Sequence, residues 1–308
     1  MSGERRWEIG IADELYPPQL RDLPGPPRTL YVLGDPRVLS APSVAVVGSR
    51  RATPYGLAVA RTVATVAAQS GIAVVSGGAR GCDRAGGEAA LDEGGVHIAV
   101  MGCGADVVYP RSSALLIERT LASGGAVVSL SPWGAQPRRY AFPRRNRVIA
   151  ALARALFVTE AGMPSGTFST AEAAMEIGRE VLAVPGSILS PQSRGTNYLI
   201  TVGACPLVDE ESIEVAVSRI FGVLRYCRVP PAAPEPDGLE ARVMGALVAD
   251  PMRPDDLAAS LGMQATECLA YLSGLAADGL VERLADGRFA PSANALRARS
   301  AIVHNRGG

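Results

Sequence analysis

The chain has 308 residues with 30 basic and 30 acidic side chains, so its formal net charge is zero. Hydrophobic residues make up 48% and charged ones 19%, enough apolar material for a core, which excludes a disordered or low-complexity chain. At roughly 100–200 residues per domain, the length fits one large and one small domain. Residues 1–41 are Pro-rich and irregular (YPPQLRDLPGPPRTLY at 16–31) and read as an N-terminal strap. The charged start, MSGERRWEIG, lacks the apolar centre of a secretory signal, and no apolar run reaches the ~18 residues of a membrane span. A cytoplasmic location is expected.

From residue 42 to 222 strands alternate with helices. Near-continuous apolar runs predict strands at Ser43–Val47, Ile72–Ser76, Val96–Met101, Ala126–Leu130, Ala155–Thr159 and Val181–Val184. Helical patterns fall near Tyr55–Gln69, Arg84–Asp92, Ser112–Ala122, Arg144–Ala153 and Thr170–Arg179. This alternation predicts an α/β domain with a doubly wound, mainly parallel sheet, whose ligands bind beyond the carboxyl ends of the strands. Residues 223–238 are rich in Pro and read as an extended linker. Residues 239–291 then predict three helices, Leu239–Ala249, Pro254–Leu261 and Ala265–Ala277. A hairpin follows around Ala285-Asp286-Gly287, giving a small winged-helix domain. Residues 292–308 read as a frayed tail.

The five cysteines are scattered, with no CxxC pair, and the two histidines do not join them, so no metal site is expected. No GxGxxG follows the first strand, which argues against a dinucleotide, and no cofactor is expected. No Ser/His/Asp or Cys/His set can be assembled, because His97 falls inside a strand; a nucleophilic enzyme is disfavoured.

The strand-end loops carry the chemistry. Gly48-Ser49-Arg50 follows the first strand and leads into a helix. The second strand ends in Ser76-Gly77-Gly78-Ala79-Arg80-Gly81-Cys82-Asp83. That stretch reads equally as a tight turn with Asp83 as helix N-cap and as a nest of N–H groups for an anion, flanked by Arg80. Ser165-Gly166-Thr167 is either a capped helix start or a phosphate cradle, and Arg194 sits in another small-residue loop.

All basic residues are Arg and none is Lys, so each cationic contact uses a planar fork suited to phosphate oxygens and base faces. Between Arg119 and Thr159 there are seven Arg and no acid. Five of them lie in RRYAFPRRNR (138–147), interleaved with Tyr140 and Phe142. In a chain of zero net charge this is a local excess, and Arg with aromatic rings is what single-stranded nucleic acid binding needs. The winged unit differs: four Arg face eight acids over 239–291, and residues 264–278 hold no basic side chain. Duplex phosphates would be repelled, so it is expected to contact protein or to regulate access to the groove.

Together GSR at 48–50, YG at 55–56, SGGARGCD at 76–83, YP at 109–110, FPRRNR at 142–147, TEA at 159–161, SGT at 165–167, VPGS at 184–187 and SRGTN at 193–197 resemble the DNA-processing protein A (DprA/Smf) family. The resemblance implies an extended Rossmann-type domain that binds single-stranded DNA without sequence preference. It also implies homodimers that help load a RecA-type recombinase in natural transformation, and no catalysis. Gly48, Ser49, Arg50, Gly77, Arg80, Gly81, Arg144, Arg145, Arg147, Ser165, Gly166, Thr167 and Arg194 would then form the DNA groove. Phe142 and Asn146 would meet bases. The family commonly carries a sterile-alpha-motif-like domain in front, for which the residues before Pro42 leave no room. Gly78, Cys82, Gly87 and Leu130 stand where the family usually has other residues, which admits a specialised paralogue. A second class of function is a phosphoribohydrolase, loosely suggested by Ser165-Gly166-Thr167, but the acid it needs three residues on is Thr170, with Glu172 two residues late. A nucleotide-sensing regulator on the same fold is the third.

Overall fold

The computed structural model describes residues 5–223 and 238–296. Its first element corrects the irregular strap: Arg6–Gly10 is a strand, β1, paired antiparallel with β2, Thr29–Gly34. The alternation in TLYVLG puts Leu30 and Val32 in the core, and the Trp7 indole N–H donates to the Gly34 carbonyl at 3.1 Å. The prolines between the strands lie in the connection, where a 3-10 turn at Pro18–Asp22 buries Leu20. Pro density obscured the strands because it belongs to the loop that joins them.

Six further strands follow the predicted rhythm, β3 (Ser43–Val47), β4 (Ala73–Ser76), β5 (His97–Met101), β6 (Ala126–Ser129), β7 (Ala155–Val158) and β8 (Glu180–Ala183), and a short β9 (Cys205–Pro206), not expected from the sequence, closes the edge. The nine strands are ordered β1-β2-β6-β5-β4-β3-β7-β8-β9, with β3 to β9 parallel and β2 antiparallel to β6. Helices α1 (Pro54–Gln69), α2 (Cys82–Asp92), α3 (Ala114–Ala122), α4 (Ala141–Leu152), α5 (Phe168–Glu176) and α6 (Arg194–Thr201) connect the strands from β3 to β9, and α7 (Glu210–Phe221) follows the last. The α/β expectation is met, with a mainly parallel, doubly wound sheet.

Strand alternation decides which helix covers which face. Ala45 and Val47 pack with Val148, Ile149 and Leu152 of α4, whereas Val44 and Val46 pack with Val63, Ala64 and Ala67 of α1. α1 starts where Pro54 fixes its first turn and the Thr53 hydroxyl accepts from the Gly56 N–H. α7 starts on a reciprocal Asp209–Ser212 capping box and ends at Gly222 in the left-handed region. The chain order reverses between β3 and β7, and their carboxyl ends open the crevice where such sheets take ligands.

The smaller unit has α8 (Leu239–Ala249), α9 (Pro254–Leu261) and α10 (Ala265–Ala277) around Val243, Leu247, Leu257 and Leu272. Its wing pairs β10 (Val281–Arg283) with β11 (Phe289–Pro291), and Met252 bridges Phe289 from the other side. Thr266, Glu267, Ala270 and Ser273 are exposed on α10, so its outer surface is neutral to acidic. Of the expected linker, 224–237 lies outside the described residues. The frayed-tail expectation is corrected in its first part: the Ser292 hydroxyl caps the Ala295 N–H at 3.1 Å, and Ala295 is buried. Residues 297–308 lie outside the described residues. Among the described residues, no helix is long and apolar enough to cross a membrane.

Candidate nucleic-acid interface

A cleft of about 640 Å³ opens over the β3 and β7 ends, lined by Gly48, Ser49, Arg50, Phe142, Arg145, Asn146, Ser165, Gly166 and Thr167. Nine of the fifteen expected groove residues therefore converge on one cavity. Arg51, Arg139, Met163 and Gln192 also line it. Arg139 belongs to the basic run, but nothing in the sequence separated it from its neighbours.

The start of α4 explains the sorting. The helix begins at Ala141, three residues earlier than the predicted Arg144, so FPRRNR lies on its first turns. At 3.6 residues per turn, Phe142, Arg145, Asn146 and Ile149 share one face and meet the cleft. Arg144, Arg147 and Val148 point to the other side, into a separate cleft of about 440 Å³ with Arg28 and Tyr31. The single trough expected for Arg144, Arg145 and Arg147 is thereby corrected.

Arg145 is corrected further. It is only 5% exposed, and Nη1 donates to the carbonyls of Gly77 (2.7 Å) and Val100 (2.5 Å). Burial pushes its guanidinium down to about 10, which leaves it charged at neutral pH, with Asp83 as the opposing charge. Asp83 fills the expected anion nest itself: its carboxylate accepts from the N–H of Gly77 at 2.9 Å and of Gly48 at 3.3 Å. It is not the N-cap of α2, a position held by Gly81. Burial raises the Asp83 carboxyl above its usual range, against the pull of Arg145 and those N–H groups. Two glycines make this packing possible. A Cβ on Gly77 would stand 2.2 Å from Arg145 Nη1. One on Gly81, whose φ is +90°, would stand 2.1 Å from the Ser49 carbonyl oxygen.

Above this floor the groups are accessible. The Arg50 guanidinium lies 5.8 Å from the centre of the Phe142 ring, and Arg145 lies 5.8 Å from the same ring. Tyr109 extends the aromatic surface, with ring centres 6.0 Å apart. The exposed Arg80 donates through Nε to the Arg50 carbonyl at 3.3 Å, at the rim and outside the cleft lining. Arg194 is the exposed first residue of α6 and lines neither cleft. Asn146 donates to Ser169 Oγ at 2.7 Å, so its amide nitrogen joins α4 to α5 instead of facing a base. In the Ser165-Gly166-Thr167 loop, Ser165 Oγ accepts from the Thr167 N–H at 3.2 Å, which fills part of the expected cradle.

Beside the cleft, Glu160, two residues after β7, holds the start of α1, accepting from Thr53 N–H at 3.1 Å and from the Thr53 hydroxyl. Burial pushes its carboxyl up to about 7, more than the Thr53 and Gly56 hydrogen bonds lower it. The native state therefore holds this proton more tightly than the unfolded chain, whose ordinary value is 4.5. Stability from this group is full below about 4.5 and is lost as pH rises through about 7. Denaturation midpoints measured from pH 5 to 8 are expected to fall in the parent protein and to flatten in Glu160→Gln; parallel curves would exclude this assignment. His97, buried in β5 between Ser76 Oγ and Thr120 Oγ1, is pushed down to about 4 and stays neutral. Cys82, Cys103, Cys205 and Cys268 are free thiols, and the described residues contain no cluster able to hold a metal ion.

The family model described as "DNA recombination-mediator protein A" matches residues 7–218, and that of the "DprA winged helix domain" matches 228–287. Protein Smf of Escherichia coli K12 is 42% identical over 205 residues, covering 67% of this chain and 55% of that protein. DNA processing protein DprA of Streptococcus pneumoniae R6 is 42% identical over 198 residues, covering 64% and 69%. The match thus spans little more than half of the Escherichia coli protein. Among solved structures, the X-ray structure of DNA processing protein A from Streptococcus pneumoniae superposes with a TM-score of 0.63 at 38% identity, covering 68% of this chain and 74% of that one. A structure of DNA processing protein A from Helicobacter pylori, described for its single-stranded DNA binding mode, gives 0.63 at 29% identity and covers 70% and 96%.

Proposed function

Because the chain belongs to the DNA recombination-mediator protein A family, we propose that its β3–β7 cleft binds single-stranded DNA without sequence preference. The carrying observation is the Arg50 guanidinium stacked over Phe142 at the open mouth of a cleft that Arg51 and Arg139 also line. A fork for the phosphate beside a ring for the base is the minimal unit of sequence-tolerant binding, because every base has a π face. The pocket floor supports a binding role over a catalytic one. Asp83 is the one acid among the described lining residues, and its carboxylate is committed to two backbone N–H groups. Glu172, the acid closest to the hydrolase pattern, is exposed on α5 and outside the cleft.

By family membership, the bound strand would be handed to a RecA-type recombinase by a homodimer, in the cytoplasm and without a cofactor. The winged unit would serve protein contacts, since the outer surface of α10 offers nothing to phosphates. The reading is tested by mobility shift with matched single- and double-stranded oligonucleotides at two salt concentrations. Single strands are expected to shift preferentially, with affinity falling steeply as salt rises through counterion release. Equal affinity for duplex, or insensitivity to salt, would reject it.

A further inference from the structure

The cleft on the far side of α4 is absorbed by none of the above. It measures about 440 Å³, and its lining includes Arg28, Arg144, Arg147, Tyr31 and Pro132 but no acid. Arg147 is largely committed, to Glu176 at 3.3 Å and to the Pro24 carbonyl at 3.4 Å. Asp22, on the 3-10 turn beside it, pairs with Arg179 at 2.6 Å. Arg28 and Arg144 differ. Both are exposed, and neither side chain makes a hydrogen bond or ion pair among the described residues. Two free guanidinium groups thus share this lining with the half-buried Tyr31, whose ring meets Trp133 edge-on at 5.5 Å on the other face of β2.

We propose that this second cleft, between the β2 segment and α4, is a further subsite for the same single strand, with Arg28 and Arg144 taking phosphates. The proposal rests on the reading of the first cleft as a DNA site. Continuity argues for a nucleic acid over an acidic peptide. Arg139 and Pro143 line the first cleft, and Arg144, the next residue, turns into the second. A helix with side chains is about 10–12 Å thick. An extended single strand crosses that thickness within a few nucleotides.

The test compares oligothymidylates of about four and about sixteen nucleotides, the span of common single-strand site sizes, on the parent protein and on Arg28→Ala/Arg144→Ala. Both side chains are exposed, so the melting temperature is expected to stay unchanged. The short oligomer fills the first cleft alone and is expected to bind both proteins equally. The long oligomer is expected to bind the variant about tenfold more weakly at low salt. Its log–log salt slope should be shallower by about 1.4, the loss of two single-strand phosphate contacts. Equal affinity and slope for the long oligomer on both proteins would remove the second subsite while leaving the first. Loss of acidic-peptide binding with DNA binding intact would assign the cleft to protein and overturn the proposal equally. Failure of the parent to bind either oligomer would remove both readings.

Discussion

Replacing Asp83 with Ala is expected to cost the α/β unit about 3 kcal/mol, since a buried donor left without its acceptor costs about 1–3 kcal/mol. Two consequences act together. The N–H groups of Gly48 and Gly77 lose their acceptor, and the Arg145 guanidinium, 5% exposed, is left without its opposing charge. Because Gly48 lines the β3–β7 cleft and Gly77 holds Arg145, the single-strand binding proposed there should weaken along with stability. The denaturant midpoint should fall with an unchanged slope. Asp83→Asn, which keeps an acceptor but not the charge, should fall between. A midpoint for Asp83→Ala within error of the parent would mean that Arg145 is satisfied by the Gly77 and Val100 carbonyls alone.

The second large effect concerns binding without loss of fold. Arg50→Ala combined with Phe142→Leu is expected to weaken single-strand affinity on the order of 100-fold. Loss of the base platform accounts for about 1–3 kcal/mol. Loss of one phosphate contact should also make the salt slope shallower by about 0.7. Leucine preserves the contact that Phe142 makes over Gly102, where a Cβ would stand 2.8 Å from the ring. Fluorescence anisotropy on homopolymer and mixed-sequence strands at two salt concentrations should show the same factor for each. A loss confined to one sequence would indicate base-edge reading and contradict the stacking account.

The layered α/β architecture was legible because buried parallel strands are written as unbroken apolar runs, as in SVAVV and HIAVM. Of the strand-end loops, 48–50 and 165–167 meet the cleft as expected, whereas Gly77, Arg80, Gly81 and Arg194 do not line it. What the sequence left hidden is direction. RRYAFPRRNR displays an excess of charge, but only the start of α4 at Ala141 decides that Arg145 turns inward while Arg144 turns to the opposite cleft. Asp83 likewise reads as a cap from its position before a helix, and only the fold brings the Gly48 N–H from a different strand to its carboxylate. β1 and β2 were missed for another reason. Their pairing is with each other and with β6, nearly a hundred residues away, and the prolines between them dominate local composition.

That pairing bears on how the protein can be taken apart. A shortened version starting at Pro42, where composition alone would draw the boundary, would discard Leu20, Leu30 and Val32 from the principal core. It would also strip β6 of its neighbour, baring a ladder of unpaired amides and carbonyls that invites self-association between copies. The smallest autonomous binding unit therefore has to begin ahead of Arg6, and aggregation of any later truncation would reflect a severed sheet and not a failure of the cleft.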